Sequence, residues 1–378
     1  MKIVHLIGSL AVEHGGPPRV VLSTAAAHVS MGHSVAILTY RYDSPPFTAN
    51  WGGVAIRILG EPTLAERLFP RRAVAALREM TRDADVLHIH GVWEVIVARA
   101  VAYANRIGLR VVVTPHGMIA HYGMQKGQLK KRIALLGYVR AELEGADVVH
   151  VLTERESGQV RNYVPAARTV VVPNAIHQVE FMVLPSPELF ARCVPDLAGR
   201  PYVLFLARLD HVKGLDLLID GFAHLTVIDR DVCLVIAGSD YGARDDAVQR
   251  IEAYGIGGRV QIVGPISGKE KLSALVGARC LCQPSRHEGF SISVIESLAC
   301  GTPVVISRNM QIPGLLEYGA GLVVESSADA IAVGLLQYVG NEAKRTEASR
   351  AARRLAFERY TWTVVADQVL QLYSGAGG

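Results

Sequence analysis

Short apolar, β-branched runs recur along the chain, and a longer segment with apolar residues at helical spacing follows each of them. In the first half the runs are Lys2–Ile7, Val35–Thr39, Val54–Leu59, Val86–His90, Val111–Thr114 and Val148–Leu152. In the second half they are Tyr202–Leu206, Cys233–Ala237, Val260–Val263, Cys280–Gln283, Pro303–Ile306 and Leu322–Val324. Continuously apolar strands separated by helices are those of parallel sheets buried on both faces. With right-handed crossovers, each half is expected to be a doubly wound, Rossmann-like α/β domain.

Between the halves, Pro173 to Pro201 carries Pro185, Pro187 and Pro195 and little periodicity, which reads as a hinge. The expected division is a first domain over 1–175, a linker over 176–200, a second domain over 201–358, and a C-terminal helix over 359–378 packing back toward the first domain. Ligands of doubly wound domains meet the C-terminal ends of the strands, so a cleft between the two domains is the expected site.

The 378 residues are 50% apolar and 20% charged, enough to build large cores, and no apolar stretch reaches the roughly 18 residues of a membrane helix. A spanning protein, a fibrous repeat and a coiled coil are excluded on that basis. Charge is uneven: residues 1–175 hold 20 Lys+Arg against 13 Asp+Glu (+7), and residues 176–378 hold 19 against 22 (−3). The basic half suits an anionic partner such as a membrane surface, although surface charge also varies between halves without function. Five cysteines, at positions 193, 233, 280, 282 and 300, fit neither a disulfide framework nor a zinc site and read as small core residues in a reducing compartment. The apolar N-terminal run is interrupted by His5 and enters Gly15-Gly16-Pro17-Pro18, so it reads as a buried strand and not a leader, and a cytoplasmic location is expected.

The first constellation with chemical content is Ala207-Arg208-Leu209-Asp210-His211-Val212-Lys213-Gly214, between a strand and the helix starting at Leu215. Two cations at such a turn, beside helix-start amides, make a diphosphate site; the alternative is a solvated turn with surface charges. The second is Pro284-Ser285-Arg286-His287-Glu288-Gly289-Phe290-Ser291, leading into a helix with Glu296 two turns on. One carboxylate in the loop and one along the helix could grip hydroxyls of an extended ligand, and Gly289 lets backbone amides approach it. Ser293-x-x-Glu296 also matches a capping box, in which the glutamate only satisfies the helix start. In the first half, Gly15-Gly16-Pro17-Pro18-Arg19 joins the first strand to a helix, and Pro115-His116-Gly117 ends a strand, where an imidazole can donate a hydrogen bond or shuttle a proton. His88 and His90 share a strand face, but with no third ligand to place, packing or cleft lining is expected and no metal site.

No Gly-x-Gly-x-x-Gly follows a strand, which disfavours a nicotinamide or flavin dinucleotide, and Gly264–Glu270 falls short of a P-loop. Asp83-Ala84-Asp85 and Asp229-Arg230-Asp231 precede strands, the wrong end for a ligand, and read as turns.

Taken together these residues resemble the group 1 glycosyltransferases, the retaining family 4 with the two-domain GT-B fold, over essentially the whole chain. The resemblance rests on Gly15-Gly16-Pro17, His116-Gly117, Pro173-Asn174, Arg208 with Lys213, Glu288 with Glu296, and Ala299-Cys300-Gly301-Thr302-Pro303-Val304-Val305. It implies that Arg208 and Lys213 bind the diphosphate of a nucleotide sugar. Glu288, with the amides of Gly289, Phe290 and Ser291, would hold the donor sugar, and Glu296 the ribose. Gly15 and Gly16 would let their loop approach the phosphates, and His116 would contact the sugar near the reacting carbon. The implied reaction is transfer to a hydroxyl with retained configuration, without a metal or other cofactor and without a protein nucleophile. The chain departs from the family's Asn-Gly-Val-Asp at Asn174-Ala175-Ile176-His177, and has Ser291 where glycine is frequent.

His88-Ile89-His90-Gly91-Val92-Trp93 with Pro115-His116-Gly117-Met118 is similar to members that build bacterial surface polysaccharides on lipid carriers, which implies a lipid-linked or oligosaccharide acceptor. Lys126, Lys130, Lys131 and Arg132, with Arg67, Arg71 and Arg72, could meet an anionic membrane surface, or could form solvated helix faces. A nucleotide-sugar epimerase or hydrolase on the same fold, and a non-catalytic nucleotide-sugar binding protein, are the alternatives. Nucleic acid is disfavoured because the basic residues lack interleaved aromatics.

Overall fold

A computed structural model describes residues 1–11, 16–41, 52–119, 131, 133–197, 199–229 and 231–375. The chain divides into two compact units, Met1–Ala175 with Trp362–Gly378, and Ile176–Thr361. Each unit is a parallel sheet covered by helices.

Unit 1 carries a seven-stranded sheet of β1 (Lys2–Ile7), β2 (Ser34–Thr39), β3 (Ala55–Ile58), β4 (Val86–His90), β5 (Arg110–Thr114), β6 (Val148–Val151) and β7 (Thr169–Val171), in the order β3-β2-β1-β4-β5-β6-β7. β4 is buried at all five positions and β1 at five of six, as continuous apolar runs demand. β7 is absent from the strands expected from the apolar runs: it is three residues long, partly exposed and at the sheet edge, too short to show a period. The C-terminal helix Trp362–Ser374 belongs to this unit, and Tyr373 on it is buried.

Unit 2 has a six-stranded sheet of β8 (Tyr202–Leu206), β9 (Cys233–Ala237), β10 (Val260–Gly264), β11 (Cys280–Gln283), β12 (Val304–Ser307) and β13 (Gly321–Val324), ordered β10-β9-β8-β11-β12-β13. Cys280 and Cys282 are fully buried, and burial pushes the Cys280 thiol up to about 12, so both behave as core side chains. Residues 176–200 are not the bare linker expected from their prolines. They form the helix Glu188–Cys193 and two short turns, Phe181 and Phe190 are fully buried, and the Phe190 amide donates to Ser273 Oγ at 2.9 Å. Apolar Phe181 and Phe190 therefore anchor this segment on unit 2 despite its lack of periodicity. The chain enters the unit at Ile176 and leaves at Thr361, and these two residues pair as an isolated bridge.

Both sheets reverse strand order once, between β1 and β4 in unit 1 and between β8 and β11 in unit 2. In open α/β sheets the loops at the C-terminal ends of that pair of strands frame the ligand crevice.

Candidate functional site

In unit 2 the loops after β8 and β11 carry the two constellations marked out by the sequence. After the apolar strand β8, Asp210 accepts a hydrogen bond from the Val212 amide at 3.0 Å and tightens the turn His211–Lys213 ahead of the helix Leu215–Ile228. Gly214 has φ 71°, and a Cβ there would overlap the carbonyl oxygen of Pro284, so glycine allows the two loops to touch. Arg286 then staples them: its amide donates to Val212 O at 2.8 Å, and its guanidinium donates to His211 O at 2.8 Å and bidentately to Asp216 at 2.7 and 2.6 Å. Burial alone would raise the Asp216 carboxyl, but the Arg286 guanidinium holds it below the usual range.

This frame brings Lys213 against Glu288: the ammonium donates to Glu288 Oε2, with both side chains only 15% exposed. A solvated turn with free surface charges is therefore not what Lys213 belongs to. Arg208, one turn earlier, lies over the Tyr241 ring at 4.8 Å, and no carboxylate among the described residues pairs with it. An aromatic face thus holds its charge in place, and no carboxylate among the described residues neutralises it.

Glu296 is buried on the helix Ile292–Ala299 and accepts from Lys271 Nζ at 2.7 Å. The capping box does not form. Ser291, not Ser293, precedes the helix, and its hydroxyl donates to Gln283 Oε1 at 2.7 Å, leaving Glu296 to its distant lysine. Gly289 is half-buried in the loop, while the Phe290 ring is buried against Tyr360 with centroids 5.7 Å apart. Phe290 can therefore offer a ligand its amide but not its ring. Lys271, Asp216 and Arg286 escaped the sequence reading as site residues, since their partners lie 25 and 70 positions away and no local spacing marks them.

In unit 1, His116 follows β5 with φ 53°, the one non-glycine residue in the left-handed region among those described. Its half-buried loop is fixed by Glu156, whose Oε1 accepts from the Gly117 amide and whose Oε2 accepts from the Leu152 amide at 2.8 Å. Gly16 is the exposed first residue of the helix Gly16–Ser30, where a Cβ would meet nothing within 4 Å. Packing within the unit does not require that glycine. Gly15, Lys126, Lys130 and Arg132 lie outside the described residues; Lys131 places its ammonium 5.3 Å from the centre of the Trp93 ring.

At the β1/β4 reversal a cavity of about 420 Å³ is lined by Gly8, Ser9, Tyr40, Arg41, Trp93 and Glu94 among others. Aromatic, carboxylate and guanidinium groups in one pocket of this size suit a polyhydroxylated ligand. On the paired strands β1 and β4, His5 supplies the third imidazole that sequence reasoning failed to place near His88 and His90, with ligand-capable atoms of all three within 4.8 Å of one another. Of the two Asp-x-Asp segments, Asp83 lies in a turn and pairs with Lys2, and Asp229 accepts from the amides of Asp231 and Val232 at 2.9 and 3.2 Å.

Residues 194–355 match the family model described as glycosyl transferases group 1, and residues 15–175 match the glycosyl transferase 4-like domain. A phosphatidyl-myo-inositol mannosyltransferase from Mycobacterium leprae is 33% identical over 187 residues, which cover 47% of this chain and 49% of that protein. The chain thus spans about half the length of that relative. A phosphatidylinositol N-acetylglucosaminyltransferase protein from Homo sapiens is 21% identical over 377 residues, which cover 95% of this chain and 73% of its own. Among solved structures, HepE from Anabaena in complex with UDP superposes with a TM-score of 0.78 at 18% identity, covering 99% of this chain and 100% of that one.

Proposed function

Because the chain belongs to the group 1 glycosyl transferases and has their two-domain GT-B fold, we propose that it moves a sugar from a nucleoside-diphosphate sugar to a hydroxyl of a lipid-linked glycan, with retention of configuration. The observation that carries this reading is the group Arg208, Lys213 and Glu288 at the strand reversal of unit 2, stapled by Arg286 to Asp216. Arg208 and Lys213 take the diphosphate oxygens, Glu288 and the amides of Gly289 to Ser291 take the sugar hydroxyls, and Glu296 takes the ribose. His116, Gly15 and Gly16 contribute the donor contacts of unit 1. The two cations supply the countercharge that a metal provides in other transferases. The UDP in the HepE complex and the lipid acceptors named for the two relatives support the donor and acceptor classes.

In the reaction the acceptor oxygen forms its bond to the anomeric carbon on the face from which the diphosphate leaves. The bond from that carbon to the diphosphate oxygen breaks, and the acceptor proton passes to the departing phosphate. Charge developing on that phosphate is met by Lys213 and Arg208. The cavity holding Trp93 and Glu94 is the acceptor pocket in this reading. The exposed Leu64, Leu68 and Phe69, beside Arg67, Arg71 and Arg72, bring the enzyme to an anionic membrane face. No helix among the described residues is long and apolar enough to cross a membrane.

Glu288→Ala tests the assignment. It should abolish transfer while nucleotide affinity is kept or raised, because Lys213 is then released to the phosphates. Unchanged turnover would remove Glu288 from the site. Free or isomerised sugar made by the wild type without any acceptor would favour a hydrolase or epimerase.

A further inference from the structure

Five histidines of unit 1, His5, His88, His90, His116 and His150, form two hydrogen-bonded chains beneath the loop that carries His116. In one chain every proton is assigned by chemistry. Val172 O can only accept, so His150 Nε2 donates to it at 2.9 Å and His150 Nδ1 must accept. Thr114 Oγ1 therefore donates to His150 Nδ1 at 3.0 Å and accepts from His88 Nε2 at 2.7 Å. His88 Nδ1 is left to accept from the Tyr373 hydroxyl at 2.7 Å. Both nitrogens of His88 are thereby committed, and a cation bound there would have to break one of these bonds.

The other chain runs His5 Nδ1 to His90 Nε2 at 2.9 Å, then His90 Nδ1 to His116 Nε2 at 3.0 Å. His5 Nε2 is buried without a partner, so the chain ends there. A neutral imidazole has one proton, and His90 must donate through one nitrogen and accept through the other. If His90 donates through Nδ1, the protons of His5 and His116 are on Nδ1 as well; if through Nε2, all three are on Nε2. The geometry allows no mixed arrangement. Burial, with the neighbouring imidazoles, keeps the rings uncharged, pushing His5 and His116 down to about 3.

We propose that His90, backed by His5, is a positioning residue for His116, fixing its ring orientation and locking the three imidazoles into one of two concerted tautomers, so that His116 Nδ1 carries a proton only when Nδ1 of His5 and of His90 does. The left-handed backbone at His116, the Glu156 bond to Gly117 and the Nε2 tie to His90 together leave only Nδ1 uncommitted. A terminal imidazole without that tie has a broad two-fold torsion and two tautomers to sample. Which face and which proton meet the sugar would then be undetermined. The consequence for turnover rests on the proposed donor contact of His116; the tautomer statement does not.

The test is long-range proton–nitrogen correlation NMR on the full chain with ¹⁵N-labelled histidine. His5, His90 and His116 should be protonated on the same-numbered nitrogen, and His88 and His150 both on Nε2. In His90→Phe, His116 should become a tautomer mixture and titrate closer to the ordinary histidine range. Its kcat should fall about tenfold or more with donor KM little changed, and His90→Gln, which can donate and accept, should restore part of that loss. Opposite tautomers in His90 and His116 overturn the proposal, even if the variants fail to fold. Stoichiometric Co²⁺ or Zn²⁺ binding lost in His5→Phe also overturns it, by assigning the cluster to a metal. If His116→Ala retains full activity, the role of His116 fails while the tautomer chain stands. If His116→Ala is inactive and His90→Phe is not, positioning alone fails.

Discussion

Mild acid should unfold unit 1 before unit 2. All five buried histidines among the described residues (His5, His28, His88, His90 and His150) are in unit 1. Burial lowers each of them first, with neighbouring imidazoles adding to it at His5, His28, His88 and His90. His5 falls to about 3, His28 and His150 to about 4, and His88 and His90 well below their ordinary value of 6.5. The unfolded chain takes up these protons as pH falls through 6.5, whereas the folded unit refuses them until near 4. Stability present above 6.5 is therefore lost between the two. From pH 6 to pH 5 each ring costs slightly more than about 1 kcal/mol, and the five together cost about 6 kcal/mol. Glu142 and Glu156 oppose this, because burial raises both carboxyls, Glu142 to about 10, and their folded forms keep protons that the unfolded forms lose. Together they return at most about 2 kcal/mol over the same interval, leaving a net loss of about 4 kcal/mol. Against a domain stability of about 5–15 kcal/mol that is a large fraction. Hydrogen exchange read by peptide mass spectrometry on the full chain, corrected for intrinsic rates, should show protection of β4 and β5 collapsing between pH 6 and 5 while β8 and β11 stay protected. Equal loss in both units, or none in unit 1, would refute the reasoning.

Two further outcomes follow from the same contacts. Lys271→Ala leaves the buried Glu296 carboxylate without its lysine and should destabilise unit 2 by about 3 kcal/mol in urea unfolding, while Lys271→Met with Glu296→Gln should recover most of it; equal losses in both variants would show that the charge pairing is not the cause. Replacing Phe69 and Arg71 together by Ser should weaken sedimentation with phosphatidylglycerol vesicles and leave neutral vesicles unaffected, and unchanged binding would remove this surface from the membrane reading.

What the amino-acid order disclosed and concealed has a physical pattern. Strands such as β4 and β8 were legible because burial on both faces writes an unbroken apolar run. β7 writes only three residues, and 176–200 fold through isolated anchors, Phe181 and Phe190, that have no period. Arg208, Lys213 and Glu288 stood out because they cluster on loops beside strand ends, and Glu296 because it lies on the helix that follows one of those loops. Their supporting partners did not, because Arg286 finds Asp216 and Lys271 finds Glu296 only after the sheet has formed. His5 is the sharpest case. Along the chain it interrupts an apolar strand, and only the pairing of β1 with β4 brings it beside His88 and His90.

The central claim is that Arg208 and Lys213 hold the diphosphate of a sugar nucleotide, and a thermal-shift titration with UDP, GDP, ADP and dTDP in EDTA tests it most directly. A ligand at 100 times its dissociation constant adds about 2.7 kcal/mol, worth a shift of several degrees. The account predicts that one of the four raises the transition without divalent metal, and that Arg208→Ala with Lys213→Ala abolishes the effect. A shift that survives both substitutions, or that none of the four nucleotides produces, would contradict it.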